Sequence, residues 1–330
     1  MTRVSILIPT RDQGPLLPDA IAGALAQDHP DLEVVVADDA SGDDTARVVQ
    51  RFCRHPALRY VRNEHRLGRV ANYRRALHEL ATGEWVLVVD GDDYLTDPGF
   101  LSRALARSAG DQETVLVVAG ERVLETDGTS VERRPVRGEW ERVDGAKFFL
   151  RWGISGAVVP HLASLYRRDL ACRLGFYRAD VLSSDWESLR RLVLHGCVLL
   201  HGRCVGVWRG HANNASRTVD VAAHVRNLES ILAPGAYAIE RGLDPRAVAR
   251  WRDRALAEYT VELFSVCALS ESLEPALALF EALRREHPVA ARRAALRLVT
   301  DPKTMSLVAL HGVGGRRLVG LARKLWRLLR

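Results

Sequence analysis

The chain has 330 residues, 47% of them hydrophobic and 27% charged, with a formal net charge of +6. That is ample apolar material for a buried core and for two domains, and it excludes a disordered polyelectrolyte. Five scattered cysteines form neither a disulfide ladder nor a zinc ribbon, so reduced, mostly buried thiols are expected.

Met1-Thr2-Arg3 leads directly into an apolar run, Val4 to Ile8, which leaves no room for a signal peptide and predicts a first strand ending at Pro9-Thr10-Arg11-Asp12. Helical spacing follows in Leu16, Ala20, Ile21, Ala24 and Leu25. Leu32 to Ala37 is a second, β-branched run that stops on Asp38-Asp39; Ser41, Asp43 or Asp44 then suits the N-cap of a helix beginning near Thr45. Val70, Tyr73, Leu77 and Leu80 repeat the helical spacing. The next apolar run, Glu84 to Val89, ends abruptly in Asp90-Gly91-Asp92-Asp93. Alternating strands and helices imply parallel βαβ units, which put all these carboxyl ends on one side of a sheet, where ligands bind. Three carboxylates within four residues repel one another unless a cation sits among them, so a hard divalent ion holding a phosphorylated substrate fits; an ordinary surface turn fits the same residues.

Further along, Trp152 to His161, with two glycines and a proline, reads as a loop, a wall over a bound ligand with His161 as a contact. Trp152 and Trp186 suit either stacking on a ligand or burial in the core. Ser183-Ser184-Asp185-Trp186-Glu187 opens a helix, where Asp185 is either a capping acid or a functional one. Beyond Asp220 the strand signal ends, and Arg226–Arg241, Pro245–Leu269, Glu271–His287 and Pro288–Val299 read as successive helices with Pro245, Pro275 and Pro288 at helix starts. Residues 291–330 hold ten Arg and Lys against Asp301, a net +9 that leaves −3 for residues 1–290. Basicity thus belongs to the tail, which argues against a nucleic-acid binder. Segment 313–330 sets leucines and Trp326 among basic residues: either an interfacial helix on anionic lipid or a helix packed on the protein with a basic face. No run approaches the ~20 apolar residues of a membrane span.

Val4 to Thr10, Ala26-Gln27, Val36 to Ser41, Leu67-Gly68, Ala71-Asn72-Tyr73 and Gly83 to Val86 leading into Asp90-Gly91-Asp92-Asp93 occur in an order and spacing that resembles the family 2 glycosyltransferases with the GT-A fold. The likeness continues through Gly175-Phe176, Ser184 to Glu187, Arg209-Gly210-His211 and Ser216, and so covers about residues 1–217. It implies a Rossmann-like, mostly parallel α/β sheet flanked by helices, with residues 1–95 holding the nucleotide sugar and 96–217 the acceptor and catalytic groups, followed by a helical region over 218–330. The implied activity is inverting transfer from a UDP- or dTDP-sugar donor to a hydroxyl of a saccharide, lipid-linked or small-molecule acceptor, as in polysaccharide biosynthesis. In that resemblance Asp39 accepts from the base imide N–H, Pro9, Thr10 and Arg11 border base and ribose, and Asp93 binds Mn²⁺ or Mg²⁺. Asp92 touches ribose or the ion, Asp90 lies one shell out, His211 completes the metal site, and Asp185 is the general base with Glu187 as runner-up. The expected location is cytoplasmic, at most peripheral at the inner face of the plasma membrane.

Three rival readings fit the same residues less well. A sugar-1-phosphate nucleotidyltransferase wants a glycine-rich, basic loop after the first strand, which Ile8 to Gly14 does not resemble. A dinucleotide oxidoreductase wants Gly-x-Gly-x-x-Gly there. A non-catalytic sugar-nucleotide-binding protein has no need to keep Asp39, Asp93, Asp185 and His211 together.

Overall fold

A computed structural model describes residues 2–152, 159–211, 214, 215, 218, 220–269 and 274–300. The first part alternates strand and helix: β1 (Val4–Thr10), α1 (Leu17–Leu25), β2 (Leu32–Asp38), α2 (Thr45–Gln50), β3 (Leu58–Arg62), α3 (Arg69–Arg75) and β4 (Trp85–Val88). These strands pair in parallel in the order β3-β2-β1-β4. Val4 lies opposite both Leu32 and Trp85, which makes β1 the middle strand. Ile6, Ile8, Val34, Val36 and Leu87 are fully buried, as continuous β-branched runs covered on both faces require. The edge strand β3 is half exposed and polar, so it carries no apolar run to announce it. After α3, Ala81 N donates to Ala76 O, a π-type turn that buries Leu77 and Leu80.

The chain then adds β5 (Tyr94–Leu95), α4 (Phe100–Ser108), β6 (Thr114–Leu124), β7 (Ser130–Arg133), β8 (Trp140–Asp144), α5 (Gly145–Arg151), β9 (Ser164–Arg167), α6 (Arg168–Arg173), α7 (Ser184–Leu192) and β10 (Cys197–Arg209). The sheet runs β3-β2-β1-β4-β9-β6-β10-β5, with β9 antiparallel to both β4 and β6 and with β6 and β10 parallel. The mostly parallel expectation therefore becomes a mixed sheet on this side. Val207 of β10 pairs with Tyr94 of β5, which carries the end of β10 to the acidic turn just before β5.

Two compact units form. The first contains the sheet. The second contains α8 (Val221–Asn227), α9 (Glu229–Glu240), α10 (Pro245–Leu269), α11 (Glu274–Glu286) and α12 (Pro288–Thr300), together with short segments around residues 150–152 and 181–183. Its core holds Trp251, Phe264 and Phe280, and Trp251 Nε1 donates to Trp152 O at 2.8 Å. Pro245 and Pro288 open α10 and α12, where a missing N–H costs nothing, and Pro275 is the second residue of α11. The single helix expected over 226–241 is instead two, joined at Leu228 by a tight turn in which Leu228 N bonds Val225 O and Ile231 N bonds Leu228 O. The thiols also differ from expectation: Cys197 and Cys267 are buried, Cys172 and Cys204 half-buried, and Cys53 exposed just past the end of α2. Among the described residues no helix is long and apolar enough to cross a membrane. Gly153–Val158 of the acceptor loop, Ser216 and the basic tail 313–330 lie outside the described residues.

Candidate functional site

Backbone hydrogen bonds tie three strand ends into one rim. Asp39 N donates to Thr10 O at 2.9 Å, Gly91 N to Pro9 O at 3.2 Å and Val89 N to Leu7 O at 2.9 Å, so Pro9 and Thr10 lie between the ends of β2 and β4. Thr10 Oγ1 donates to Gln13 Oε1 at 2.9 Å. Arg11 Nε donates to Asp12 Oδ2 at 3.1 Å, while Nη1 of the same guanidinium is buried with no partner among the described residues. Such an orphan donor at a strand-end rim is available to an anionic ligand.

The tandem acids after β2 separate by role. Asp38 is used internally: its carboxylate takes Ser41 N at 2.9 Å, Ser41 Oγ at 2.5 Å and Tyr60 Oη at 2.6 Å. Asp39 takes Asn63 Nδ2 at 2.9 Å, Leu67 N at 2.7 Å and Gly68 N at 2.9 Å, and about one of a carboxylate's four acceptor directions is left. Gly68 adopts φ +98°, a conformation that side chains avoid, and this aims its N–H at Asp39. Of the expected caps Ser41, Asp43 and Asp44, Asp44 takes the N-cap position of α2 without a side-chain capping bond and pairs with Arg47, Asp43 beside it accepts from Thr45 N, and Ser41 is bound to Asp38.

Asp90-Gly91-Asp92-Asp93 is a tight turn closed by Asp93 N donating to Asp90 O at 2.9 Å. A Cβ on Gly91 would stand 2.6 Å from Thr10 Oγ1, so only glycine lets the turn lie against β1. One carboxylate oxygen from each of Asp90, Asp92 and Asp93 falls within 4.8 Å of the others. Burial, followed by the charges of Asp92 and Asp90, raises the Asp93 carboxyl well above the usual range. Burial likewise raises Asp90, with Asp92 adding to it and His161 opposing. Converging oxygens at the cost of ionisation suit a hard divalent cation, whose charge would remove that cost.

Arg209 holds this turn from the end of β10. Its N–H donates to Asp93 Oδ1 at 2.9 Å, and its guanidinium reaches Asp92 O, Asp19 Oδ2 at 2.8 Å and Leu16 O at 2.9 Å while stacking on Tyr94. Two residues on, His211 Nε2 lies 2.7 Å from Asp92 Oδ2, adding an imidazole to the oxygens.

Asp185 sits half-exposed in the first turn of α7. Arg69, at the start of α3, is held charged: burial opposes its guanidinium, but Tyr73, Asp185 and Asp90 outweigh that and raise its pKa. Tyr73 Oη donates to Asp90 Oδ1 at 2.5 Å, and its ring packs near His161 and Tyr177. His161 Nε2 is 3.0 Å from Tyr177 Oη, so that histidine is engaged from within. Glu187 faces the other way, fully buried, with Arg191 donating twice to it at 2.8 Å and Arg178 Nε 3.5 Å away. Trp152 is core, and Trp186 Nε1 donates to Val159 O at 3.1 Å.

Sequence reasoning missed Asn63, which holds Asp39, and Arg69, whose charge Asp185 and Asp90 favour. It read Tyr73 as helix packing and as part of a family motif, without its bond to Asp90. Nothing local in the sequence marks Asn63 or Arg69.

Comparison with known proteins gives the family. The model of glycosyl transferase family 2 matches residues 5–175, just over half the chain, and the protein belongs to that family: it is a glycosyltransferase. The chain is 31% identical over 236 residues to the uncharacterized protein MT1568 of Mycobacterium tuberculosis, covering 68% of this chain and 72% of that one. Three further mycobacterial relatives are spanned over only 59% of their length. It is also 34% identical over 130 residues to the GalNAc(5)-diNAcBac-PP-undecaprenol beta-1,3-glucosyltransferase of Campylobacter jejuni, 39% of this chain and 40% of that one. The crystal structure of Staphylococcus aureus TarS 1-349 with UDP-GlcNAc superimposes with a TM-score of 0.70 at 18% identity, covering 98% of this chain and 90% of that one, which shows the GT-A fold with its helical C-terminal region.

Proposed function

We propose that this glycosyltransferase moves a sugar, with inversion, from a UDP- or dTDP-sugar to a hydroxyl of a saccharide or lipid-linked acceptor. The observation that carries the reading is the single rim formed by Asp39, the Asp90–Asp93 turn and His211. Asp39 accepts from the imide N–H of a pyrimidine base, an edge that offers one donor between two carbonyls. Pro9 and Thr10 border base and ribose, and the unpartnered N–H of Arg11 is a donor for phosphate. Asp93, Asp92 and His211 would hold Mn²⁺ or Mg²⁺, and Asp90, held by Tyr73, orients the turn. When bound, the cation supplies fixed positive charge against the diphosphate leaving group. Asp185 removes the proton of the acceptor hydroxyl as its oxygen bonds to the anomeric carbon; the glycosidic C–O bond breaks on the opposite face and its electron pair leaves with the diphosphate. TarS, crystallised with UDP-GlcNAc, supports the uridine donor, and the undecaprenol-linked acceptor in the name of the Campylobacter relative supports a lipid-linked one.

The test is diphosphate release from a panel of UDP- and dTDP-sugars with Mn²⁺, comparing the chain with Asp185→Asn. Loss of a general base should lower turnover by about 10²- to 10⁴-fold while nucleotide affinity stays within about threefold. Near-normal turnover in Asp185→Asn would remove Asp185 from that role.

A further inference from the structure

The buried side of α12 is built from small residues, Ala290, Ala291, Ala294 and Ala295, with Leu298, and packs on α10 and α11. Its other side is not needed for that core. Val289 (50% exposed), Arg292, Arg293 and Leu296 (59% exposed) recur at i, i+3, i+4 and i+7 and so share one outward stripe. Two exposed aliphatics alone are unremarkable on a protein surface. The charge around them is not: residues 284–330 hold twelve Arg and Lys against Glu286 and Asp301, a net +10, while residues 1–283 carry −4. Arg284 and Arg285 at the end of α11 are exposed as well.

We propose that the Val289–Arg292–Arg293–Leu296 face of α12 is a docking surface for an anionic lipid bilayer. Guanidiniums interleaved with aliphatics match a plane of phosphate headgroups over an apolar interior, and the net positive charge of the chain beyond α12 adds to the attraction. A nucleic-acid backbone would use the arginines but gain nothing from Val289 and Leu296, and the one aromatic residue in α11 and α12, Phe280, is buried. The inference rests on charge placement in the helical unit, independently of the transfer chemistry, and would bring the enzyme to a lipid-linked acceptor.

The experiment is flotation of the full chain with phosphatidylcholine vesicles, with and without roughly 30% phosphatidylglycerol, at low and high salt. The chain should float only with anionic vesicles and lose binding at high salt. R292Q/R293Q should lower the vesicle partition coefficient about ten- to thirtyfold, and V289S/L296S about tenfold. Unchanged melting temperature and UDP binding in both variants would show that fold and donor site are intact, so a failure here is separable from a failure of the transfer assignment. Flotation equal to wild type in both variants, equal binding to neutral vesicles, preferential binding to duplex oligonucleotide lost in R292Q/R293Q, or a dimer lost in the same variants would each overturn the proposal.

Discussion

Asp93 faces opposite demands with and without a cation. Burial and its acidic neighbours raise its carboxyl, so the folded cation-free chain binds protons more tightly than the unfolded chain does. That contribution to stability is present below the unfolded carboxylate value and is lost as pH rises through the raised folded value. Asp93→Asn should therefore raise the cation-free melting temperature at pH 7 by a few degrees, about 1 kcal/mol, and abolish any stabilisation by Mn²⁺. A lower cation-free melting temperature, read by calorimetry, would contradict this. Protons compete for the same oxygens, so Mn²⁺ affinity measured by titration should rise between pH 5 and pH 7.5. At α7 the sequence sets Asp185 and Glu187 two residues apart, hence on different sides, but which side is core is not local information. Burial of Glu187 against Arg191 decides it, and Glu187→Ala should cost about 3–5 kcal/mol by leaving Arg191 buried and unpaired, whereas Asp185→Asn, at a half-exposed carboxylate, should lower the melting temperature less.

At the scale of the element, α3 does more than its apolar spacing suggests. Val70 and Leu77 mark it as a packed helix, yet its entry supplies two backbone donors to Asp39, its first residue is Arg69, and the Tyr73 hydroxyl reaches Asp90. A hydroxyl at the end of a core-spaced aromatic is invisible to periodicity. Gly68→Ala should destabilise the chain by about 1–2 kcal/mol, because φ is +98° there, and should weaken nucleotide binding by withdrawing a donor from Asp39. Equal nucleotide affinity in Gly68→Ala, measured by isothermal titration, would detach this helix entry from the site. The acidic turn, by contrast, stands out in the sequence because its carboxylates and its glycine are contiguous in the chain, although an ordinary surface turn fits the same residues.

Across the whole molecule, legibility follows the range of the contacts. β1, β2 and β4 are buried on both faces and declare themselves as apolar runs, so their shared rim could be inferred from alternation alone. The antiparallel insertion of β9 between β4 and β6, and the pairing of β10 with β5 that delivers Arg209 and His211 to the turn, depend on partners far away in sequence. Arg209 and His211 entered the sequence reading only through the family resemblance, and these strand pairings did not enter it at all. The basic C-terminal charge was plain in the sequence, but its exposed partners on α12 required packing to reveal them.

A metal-assisted pyrimidine-nucleotide site at the rim is tested most directly by thermal stability with UDP, dTDP, GDP and ADP, each with and without Mn²⁺. Ligand at about 100 times its dissociation constant stabilises the native state by roughly 2.7 kcal/mol. UDP or dTDP should raise the melting temperature only when Mn²⁺ is present, and Asp39→Ala and Asp93→Ala should each suppress the rise. A purine preference, a shift independent of metal, or an undiminished shift in either variant would contradict it.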